Sequence, residues 1–340
     1  MKQKHREISR HLLQTVLAIA ALSFFTIYPA FQLSDTANNA AATTYKKAPK
    51  FSGQVKVPQK AGQTKVEAYY SVKKLRNNIY HIQDYSKSPG GKNGKNPASM
   101  YLIKGSQRAL LIDGGNNVVK ARKELVKIVN TLRGTTPLEI AVSHAHEDHV
   151  GQLAAFQTNT IYFPAKDKVK KTHDGLEAPP KQRDNYVWVK EGDKIDLGNY
   201  QFEVIETPGH TPGSVCYVDK KDGLIATGDS IGSSFIWLFD KKSLKIENSS
   251  LKHLYANVKG IKDPLFMPGH MWQGDPANKK RAPKYTPAND PMTMQYLKDM
   301  LTLTDKISNG KAKSHKYYVD GHYRGKAYVY GKAQVCMITH

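Results

Sequence analysis

Apolar residues fall mainly in short runs along this chain, and glycine, proline or charged residues separate the runs. Such runs predict β-strands, over residues 77–81, 100–103, 109–112, 138–142, 160–163, 186–189, 194–197, 200–207, 214–218, 224–227, 264–267, 317–319, 327–330 and 334–338. Apolar residues spaced three or four apart predict helices, over residues 118–132, 150–156, 250–258 and 291–307. The last helix is expected to begin with Asn289 or Asp290 as its cap and Pro291 at its first position. A chain of 340 residues with 39% hydrophobic residues therefore predicts one large α/β domain with appendages.

The N-terminus has a different pattern from the rest of the chain. Four Lys or Arg residues within the first ten precede an apolar stretch over residues 12–31. This order predicts a secretory signal peptide over residues 1–42, cleaved near Ala42. An uncleaved membrane anchor is the alternative, because the apolar stretch is close to the length of a bilayer span. We expect a linker over residues 43–75, followed by a single domain over residues 76–340 that includes a C-terminal helix and strand extension. Either way, this part of the chain is expected outside the cytoplasmic membrane, secreted or at the cell surface.

The charge of the chain indicates which partners it could bind, and its cysteines limit the types of metal site it could form. The chain carries 51 Lys and Arg against 29 Asp and Glu, a formal net charge of +22. The basic residues are spread singly and in pairs, which is typical of a solvated surface, so no specific nucleic-acid partner is predicted. Such a surface favours salt-dependent association with an anionic cell envelope. The only cysteines, Cys216 and Cys336, lie far apart, and the lack of Cys-x-x-Cys spacing excludes a zinc site of that type.

One stretch is dense in groups that bind metals. The run His144-Ala145-His146-Glu147-Asp148-His149 directly follows the predicted strand over residues 138–142. Packing explains such a loop poorly, whereas imidazole and carboxylate groups suit zinc and related divalent cations.

Three further polar residues stand at the ends of strand-like runs. His210, Asp229 and His270 each follow a glycine, which lets the backbone turn sharply and bring a side chain towards a shared centre. Taken singly, each residue is weak evidence for a site. Their occurrence after the histidine-rich run, at the ends of separate strands, predicts one convergent metal centre.

Together these residues resemble the ligand set of the metallo-beta-lactamase superfamily, and the resemblance covers about residues 75–275. It implies a four-layer αβ/βα sandwich, with two mixed β-sheets face to face and helices outside. It also implies a first metal held by His144, His146 and His210, a second held by Asp148, His149 and His270, and Asp229 bridging both. Asp113, in a Leu-Leu-Ile-Asp-Gly-Gly segment, matches an upstream aspartate that often contacts the ligands in this superfamily.

The resemblance implies a hydrolase with two divalent metal ions, and the N-terminal segment predicts that it is exported. Zinc is expected, and a His/Asp set also accepts iron or manganese. A metal-bridging hydroxide would attack an ester, thioester, lactone or amide in a small or envelope-derived substrate, with Asp148 as the catalytic residue that orients the water. Aspartate rather than cysteine at position 229 favours the glyoxalase II, lactonase and phosphodiesterase branches. A phosphodiesterase of envelope polymers or nucleotides, and a non-catalytic cationic surface-binding protein, are the alternatives.

Overall fold

The computed structural model describes residues 53–66, 68–84, 98–168, 185–232, 236–270, 292–319 and 322–338. The predicted signal peptide or membrane anchor over residues 1–42 lies outside these ranges, as do the expected helix start at residues 289–291 and residues 43–52 of the predicted linker. Within the described ranges, no helix has both the length and the apolar character of a membrane span.

The first sheet has eight strands arranged in sequence order. They are β1 (Thr64–Val66), β2 (Tyr70–Arg76), β3 (Ile79–Asp84), β4 (Ser99–Lys104), β5 (Ala109–Ile112), β6 (Leu138–Ala141), β7 (Thr160–Pro164) and β8 (Tyr186–Val189). The pairs from β1 to β5 are antiparallel, and the pairs from β5 to β8 are parallel. Parallel pairing brings the carboxyl ends of β5, β6 and β7 to one edge of the sheet, where ligands commonly bind in such folds.

The second sheet has five strands in the order β14-β12-β11-β10-β9. They are β9 (Lys194–Asp196), β10 (Gln201–Glu206), β11 (Val215–Asp219), β12 (Leu224–Gly228) and β14 (Leu265–Pro268). Only β12 and β14 pair in parallel. A third sheet has four strands in the order β13-β17-β16-β15. They are β13 (Ile236–Leu238), β15 (Ser314–Val319), β16 (His322–Tyr330) and β17 (Ala333–Ile338).

The described residues include four α-helices: α1 (Arg122–Arg133), α2 (Glu147–Val150), α3 (Lys241–Val258) and α4 (Met294–Ser308). Short 3₁₀ turns cover Val119–Ala121, Leu153–Phe156 and Ala165–Asp167. The apolar stripe predicted for the first helix is the buried face of α1, formed by Leu125, Ile128, Val129 and Leu132. The helices therefore bury the faces that their sequence periodicity indicates.

Three buried clusters define the layers. The first packs α1 against one face of the first sheet. The second joins facing side chains of the first and second sheets, such as Tyr101 and Ile112 with Phe202 and Tyr217. The third packs the other face of the second sheet against α3, α4 and part of the third sheet. This is the predicted sandwich of two mixed sheets with helices outside, to which the C-terminal residues add a third sheet.

The structure corrects several boundaries. The domain extends upstream of residue 76 into the predicted linker, because β1 and β2 pair within the first sheet and bury Tyr70 and Val72. Helix α3 begins at Lys241, nine residues before the predicted start at 250. Helix α4 is capped by Thr293, whose hydroxyl accepts from the backbone N–H of Tyr296, rather than by Asn289 or Asp290. Strand β13 was not predicted, since it is only three residues long.

Candidate metal centre

The seven predicted ligand residues lie together at one edge of the sandwich. His144 and His146 follow β6, and Asp148 and His149 belong to α2. The loop between β10 and β11 carries His210, and Asp229 and His270 follow β12 and β14. Each residue is placed by the end of a strand, as the sequence pattern predicts.

Three of these residues form a compact group, which we call the three-histidine cluster: His144, His146 and His210. Nδ1 of His146 lies 3.1 Å from Nε2 of His144 and 2.9 Å from Nε2 of His210. The rings of His146 and His210 are perpendicular, at 90°. Three imidazole nitrogens therefore point at one small volume, which their ligand atoms surround within 4.8 Å of one another.

Three others form what we call the mixed cluster: Asp148, His149 and His270. Nε2 of His149 lies 3.7 Å from Oδ1 of Asp148, and Nε2 of His270 lies 3.4 Å from Oδ2 of Asp148. Asp229 lies between the two clusters. Its Oδ1 is 3.4 Å from Nε2 of His149, and its Oδ2 is 3.2 Å from Nε2 of His270 and 3.6 Å from Nε2 of His210. Asp229 thus lies close to ring nitrogens of both clusters, and the bridging role that the resemblance implies for it stays a prediction.

Hydrogen bonds behind the rings determine which nitrogen faces the centre. Nδ1 of His149 lies 2.9 Å from Oδ2 of Asp113, and Nδ1 of His210 lies 3.0 Å from the carbonyl oxygen of Trp237. Both partners accept, so each Nδ1 carries a proton. The hydroxyl of Ser143 donates to Asp113 over 2.8 Å and must accept from Nδ1 of His144 over 3.0 Å. When neutral, all three rings therefore turn the Nε2 lone pair inward, as metal binding requires.

The two clusters have opposite electrostatics. Burial and neighbouring imidazoles lower the pKa of His144 well below its usual value and that of His146 to about 3. Burial also opposes protonation of His270, but Asp229 and Asp148 outweigh it and raise the pKa of His270 to about 10. Asp148, Asp229 and Asp113 likewise raise the pKa of His149 well above its usual value. His144 and His146 are therefore neutral, whereas the mixed cluster pairs imidazolium with carboxylate.

Glycines permit the close approach of these groups. A Cβ atom on Gly269 would lie 2.2 Å from Oδ1 of Asp229 and 2.9 Å from Cε1 of His149. A Cβ atom on Gly228, whose φ is +49°, would lie 2.6 Å from Cβ of Ser143. Any larger residue would displace the loops that carry the candidate ligands.

The residues present fit divalent metal ions. Imidazole nitrogen and carboxylate oxygen are the donors that zinc and related cations prefer. Nε2 of His149 and Oδ1 of Asp229 are buried, yet neither has a hydrogen-bond partner among the described residues. Nε2 of His144 and Nε2 of His210 also both direct lone pairs at Nδ1 of His146. A neutral His146 has at most one proton on this nitrogen, so it cannot donate a full hydrogen bond to both. A cation would satisfy these groups together.

Comparison with known proteins agrees with this geometry. The sequence model of the metallo-beta-lactamase superfamily matches residues 93–287. The chain belongs to the metallo-beta-lactamase superfamily. It is 28% identical over 199 residues to an acyl-coenzyme A thioesterase, MBLAC2, of Gallus gallus, covering 50% of this chain and 69% of that protein. It is 36% identical over 101 residues to a hydroxyacylglutathione hydrolase of Chelativorans sp. (strain BNC1), covering 29% of this chain and 35% of that protein.

A solved relative shares the fold. The metallo-beta-lactamase FIM-1 of Pseudomonas aeruginosa, in its mono-zinc form, aligns with a TM-score of 0.50 and 13% identity, covering 70% of this chain and 96% of that one. The predicted family, fold class and hydrolase activity are thus confirmed at superfamily level, and the His/Asp clusters suit the divalent metals of metallo-hydrolases. The roles of the individual residues stay predictions.

Apart from Asp113, sequence reasoning missed the groups that hydrogen-bond to the candidate ligands and their loops. Ser143 lies next to the motif but has no distinctive pattern of its own. The acceptor at Trp237 is a backbone carbonyl, which no side-chain motif reveals. Asp167 follows β7 at the same edge of the first sheet, and its position after a strand is the one signal in the sequence that could have pointed to it.

Proposed function

We propose that this protein hydrolyses carbonyl esters, thioesters foremost, with two divalent metal ions, of which zinc is the expected one. The observation that carries the proposal is the position of Asp229, whose two carboxylate oxygens lie within 3.2–3.6 Å of ring nitrogens from both clusters. His144, His146 and His210 would hold one ion, and Asp148, His149 and His270 the other. A carboxylate shared by two cations reduces their mutual repulsion, which favours a two-metal site over two independent ones.

The side chains divide the remaining work. Bound divalent cations supply a nucleophilic water at neutral pH and offset charge on the substrate oxygen. Asp148 reaches His149 and His270 through different carboxylate oxygens, at 3.7 and 3.4 Å, and its pKa is held below its usual value mainly by these imidazoles, against the effect of burial. Asp148 therefore stays ionised and can accept a hydrogen bond from the attacking water, which orients that water towards the carbonyl carbon.

The relatives favour a thioester. Those with specific names in the comparison are an acyl-coenzyme A thioesterase and a hydroxyacylglutathione hydrolase. The chain spans only part of each, so the substrate is proposed at the level of the bond that is cleaved. A phosphodiester is the second candidate, because a net charge of +22 would attract polyanions.

Export belongs to the same proposal. The N-terminal sequence supports translocation, and the positive charge supports association with an anionic envelope. Cell fractionation tests both points. The protein should appear outside the cytoplasm, and high salt should release the envelope-bound fraction. Recovery in the cytoplasmic fraction alone would contradict export.

The central experiment combines metal analysis with a substrate panel. Purified protein should contain about two metal equivalents and should hydrolyse thioesters faster than lactones or phosphodiesters. His146→Ala and Asp148→Ala should each abolish most of the activity, whereas His253→Ala, which removes an exposed histidine paired with Glu191, should not. Full activity of protein stripped of metal would refute the proposal. Activity on phosphodiesters alone would replace it with the second candidate.

A further inference from the structure

Asp167 is a fully buried carboxylate that stands outside the candidate ligand set. It ends the short turn after β7 and receives three hydrogen bonds. Its Oδ2 accepts from the backbone N–H of Ala145 at 3.0 Å and from the hydroxyl of Thr211 at 2.8 Å. Its Oδ1 accepts from the backbone N–H of Gly213 at 2.6 Å. One side chain thus binds two separate loops.

These loops supply the whole three-histidine cluster. Ala145 lies between His144 and His146 in the loop after β6 of the first sheet. Thr211 directly follows His210 in the loop between β10 and β11 of the second sheet. Asp167 therefore connects the two sheets at the point where their histidines meet.

We propose that Asp167 is a positioning residue that sets the spacing between the His144–His146 loop and His210, and thereby the metal affinity of the three-histidine cluster. The inference rests on the proposed metal-dependent function. It concerns one cluster only, since Asp167 binds the loops of the three-histidine cluster, whereas Asp113 orients His149 in the mixed cluster.

The contacts explain why a carboxylate stands here. All three partners donate, and the two oxygens of Asp167 accept from every one of them. In asparagine, the amide nitrogen would face at least one of these donors and could not accept from it. The fit is also tight, because a Cβ atom on Gly213 would lie 2.6 Å from Oδ1 of Asp167. Small movements of Asp167 should therefore move the His210 loop.

The test is a zinc titration of Asp167→Asn in competition with a chromophoric chelator. We expect one of the two zinc sites to weaken by about 10- to 100-fold, the usual cost of losing a group that orients metal ligands. The other site should keep its affinity. His146→Ala identifies that retained site, because it removes a member of the three-histidine cluster and leaves the mixed cluster intact.

The matched control is Asp219→Asn. Asp219 is also a buried carboxylate, and it accepts from the backbone N–H groups of Gln201 and Asp222 at the other end of β11. Asp219→Asn should leave both zinc affinities unchanged, even where it lowers the melting temperature. If Asp167→Asn does not fold, Thr211→Val removes one of the three hydrogen bonds to Asp167, together with the contact between the Thr211 and Ser214 hydroxyls. Roughly fivefold weaker binding at the same site is then expected.

The outcomes separate this inference from the proposed function. Wild-type protein that fails to bind two zinc ions would refute the proposed function. Wild-type protein that binds two, with Asp167→Asn weakening both sites equally or neither, would refute the positioning role. A lower melting temperature of the metal-free variant with unchanged zinc affinities would show that Asp167 stabilises only the fold, and would also overturn the inference.

Discussion

The two halves of the metal centre are prepared for a cation in different ways. In the three-histidine cluster, His144 and His146 are neutral imidazoles, and loops from two different sheets bring the three rings together. The mixed cluster is already an ion-pair network, in which the carboxylates of Asp148 and Asp229 face His149 and His270. A cation entering the first half needs correct spacing, whereas one entering the second must also displace protons. Similar ligands therefore make different demands on the surrounding protein.

The largest effect should come from the residue that both halves share. Asp229→Ala removes a carboxylate within 3.6 Å of ring nitrogens in both clusters. Charge stabilisation by metal ions contributes several kcal/mol, so hydrolysis should fall about a thousandfold or more. Metal analysis and kcat/KM on a thioester measure the loss, with Asp196→Ala, an exposed carboxylate on β9, as the control. Retention of both metal equivalents would contradict the bridging position.

The next prediction concerns Asp113, the residue behind the mixed cluster. In Asp113→Asn, the amide nitrogen would replace one of two accepting oxygens. These are Oδ2, which accepts from both His149 and the Ser143 hydroxyl, and Oδ1, which accepts from the backbone N–H of Ser143. The backbone should tolerate the change, since Asp113 has a φ of 65° and asparagine adopts this conformation readily. Zinc affinity of the mixed cluster should fall about 10- to 100-fold.

Asp113→Asn should thus weaken zinc binding at the mixed cluster, whereas Asp167→Asn should weaken it at the three-histidine cluster. The same zinc competition measures it, with Asp219→Asn again as the buried-carboxylate control. If Asp113→Asn and Asp167→Asn weakened the same zinc site, the mixed cluster and the three-histidine cluster would not depend on separate positioning residues.

The same contrast shows how far sequence alone reaches. The convergence of the seven candidate ligands was predictable because strand ends concentrate polar residues and the His-x-His-x-Asp-His spacing is distinctive. Asp113 came with the family resemblance. Asp167 was not predicted, because its importance depends on a loop more than forty residues away, to which its bond to Thr211 reaches. Local sequence patterns thus predicted the side chains that face the candidate metal centre, but not Asp167, which holds the loops of the three-histidine cluster in place.

The fold shows the same limit. Long periodic segments such as α1 were predicted to within a few residues. The three-residue strand β13 was missed because its pairing partner, β17, lies about a hundred residues further along the chain. Its Trp237 carbonyl nevertheless orients His210. Short elements that depend on distant partners carry too little local signal to predict.

The third prediction is that zinc binding at the mixed cluster and at the three-histidine cluster depends differently on pH. The pKa of His270 is raised to about 10, so this residue is protonated at pH 7 and must lose its proton before it can bind a metal. Zinc binding at the mixed cluster should therefore release protons and strengthen by up to about tenfold per pH unit for each proton released. At the three-histidine cluster, His144 and His146 should release none, because burial and neighbouring imidazoles lower the pKa of His144 well below its usual value and that of His146 to about 3. Calorimetry in buffers of different ionisation enthalpy counts the protons, and equal release at both sites would contradict the contrast.

The ionisation of His270 also determines how the stability of the metal-free protein changes with pH. Because the pKa of His270 is raised from 6.5 to about 10, its ion pairs stabilise the fold fully below pH 6.5 and are lost as the pH rises through 10. The melting temperature of metal-free protein should therefore fall between pH 7 and pH 10. The fall should be smaller in His270→Gln, which has no such ionisation, and an identical fall in both proteins would contradict this account.

The smallest effect should come from Ser143, which links the supports of the two halves. Ser143→Ala removes the acceptor behind Nδ1 of His144, while Asp113 keeps its contact with Nδ1 of His149. Alanine retains the Cβ atom that packs against Gly228, so the loss is confined to the hydroxyl. A hydrogen bond of this kind contributes about 1 kcal/mol, so zinc affinity of the three-histidine cluster should fall roughly fivefold. The control is Ser249→Ala, which removes an exposed hydroxyl on α3. A larger loss at the mixed cluster than at the three-histidine cluster would mean that Ser143 acts mainly by holding Asp113, and the two supports would then be one connected unit.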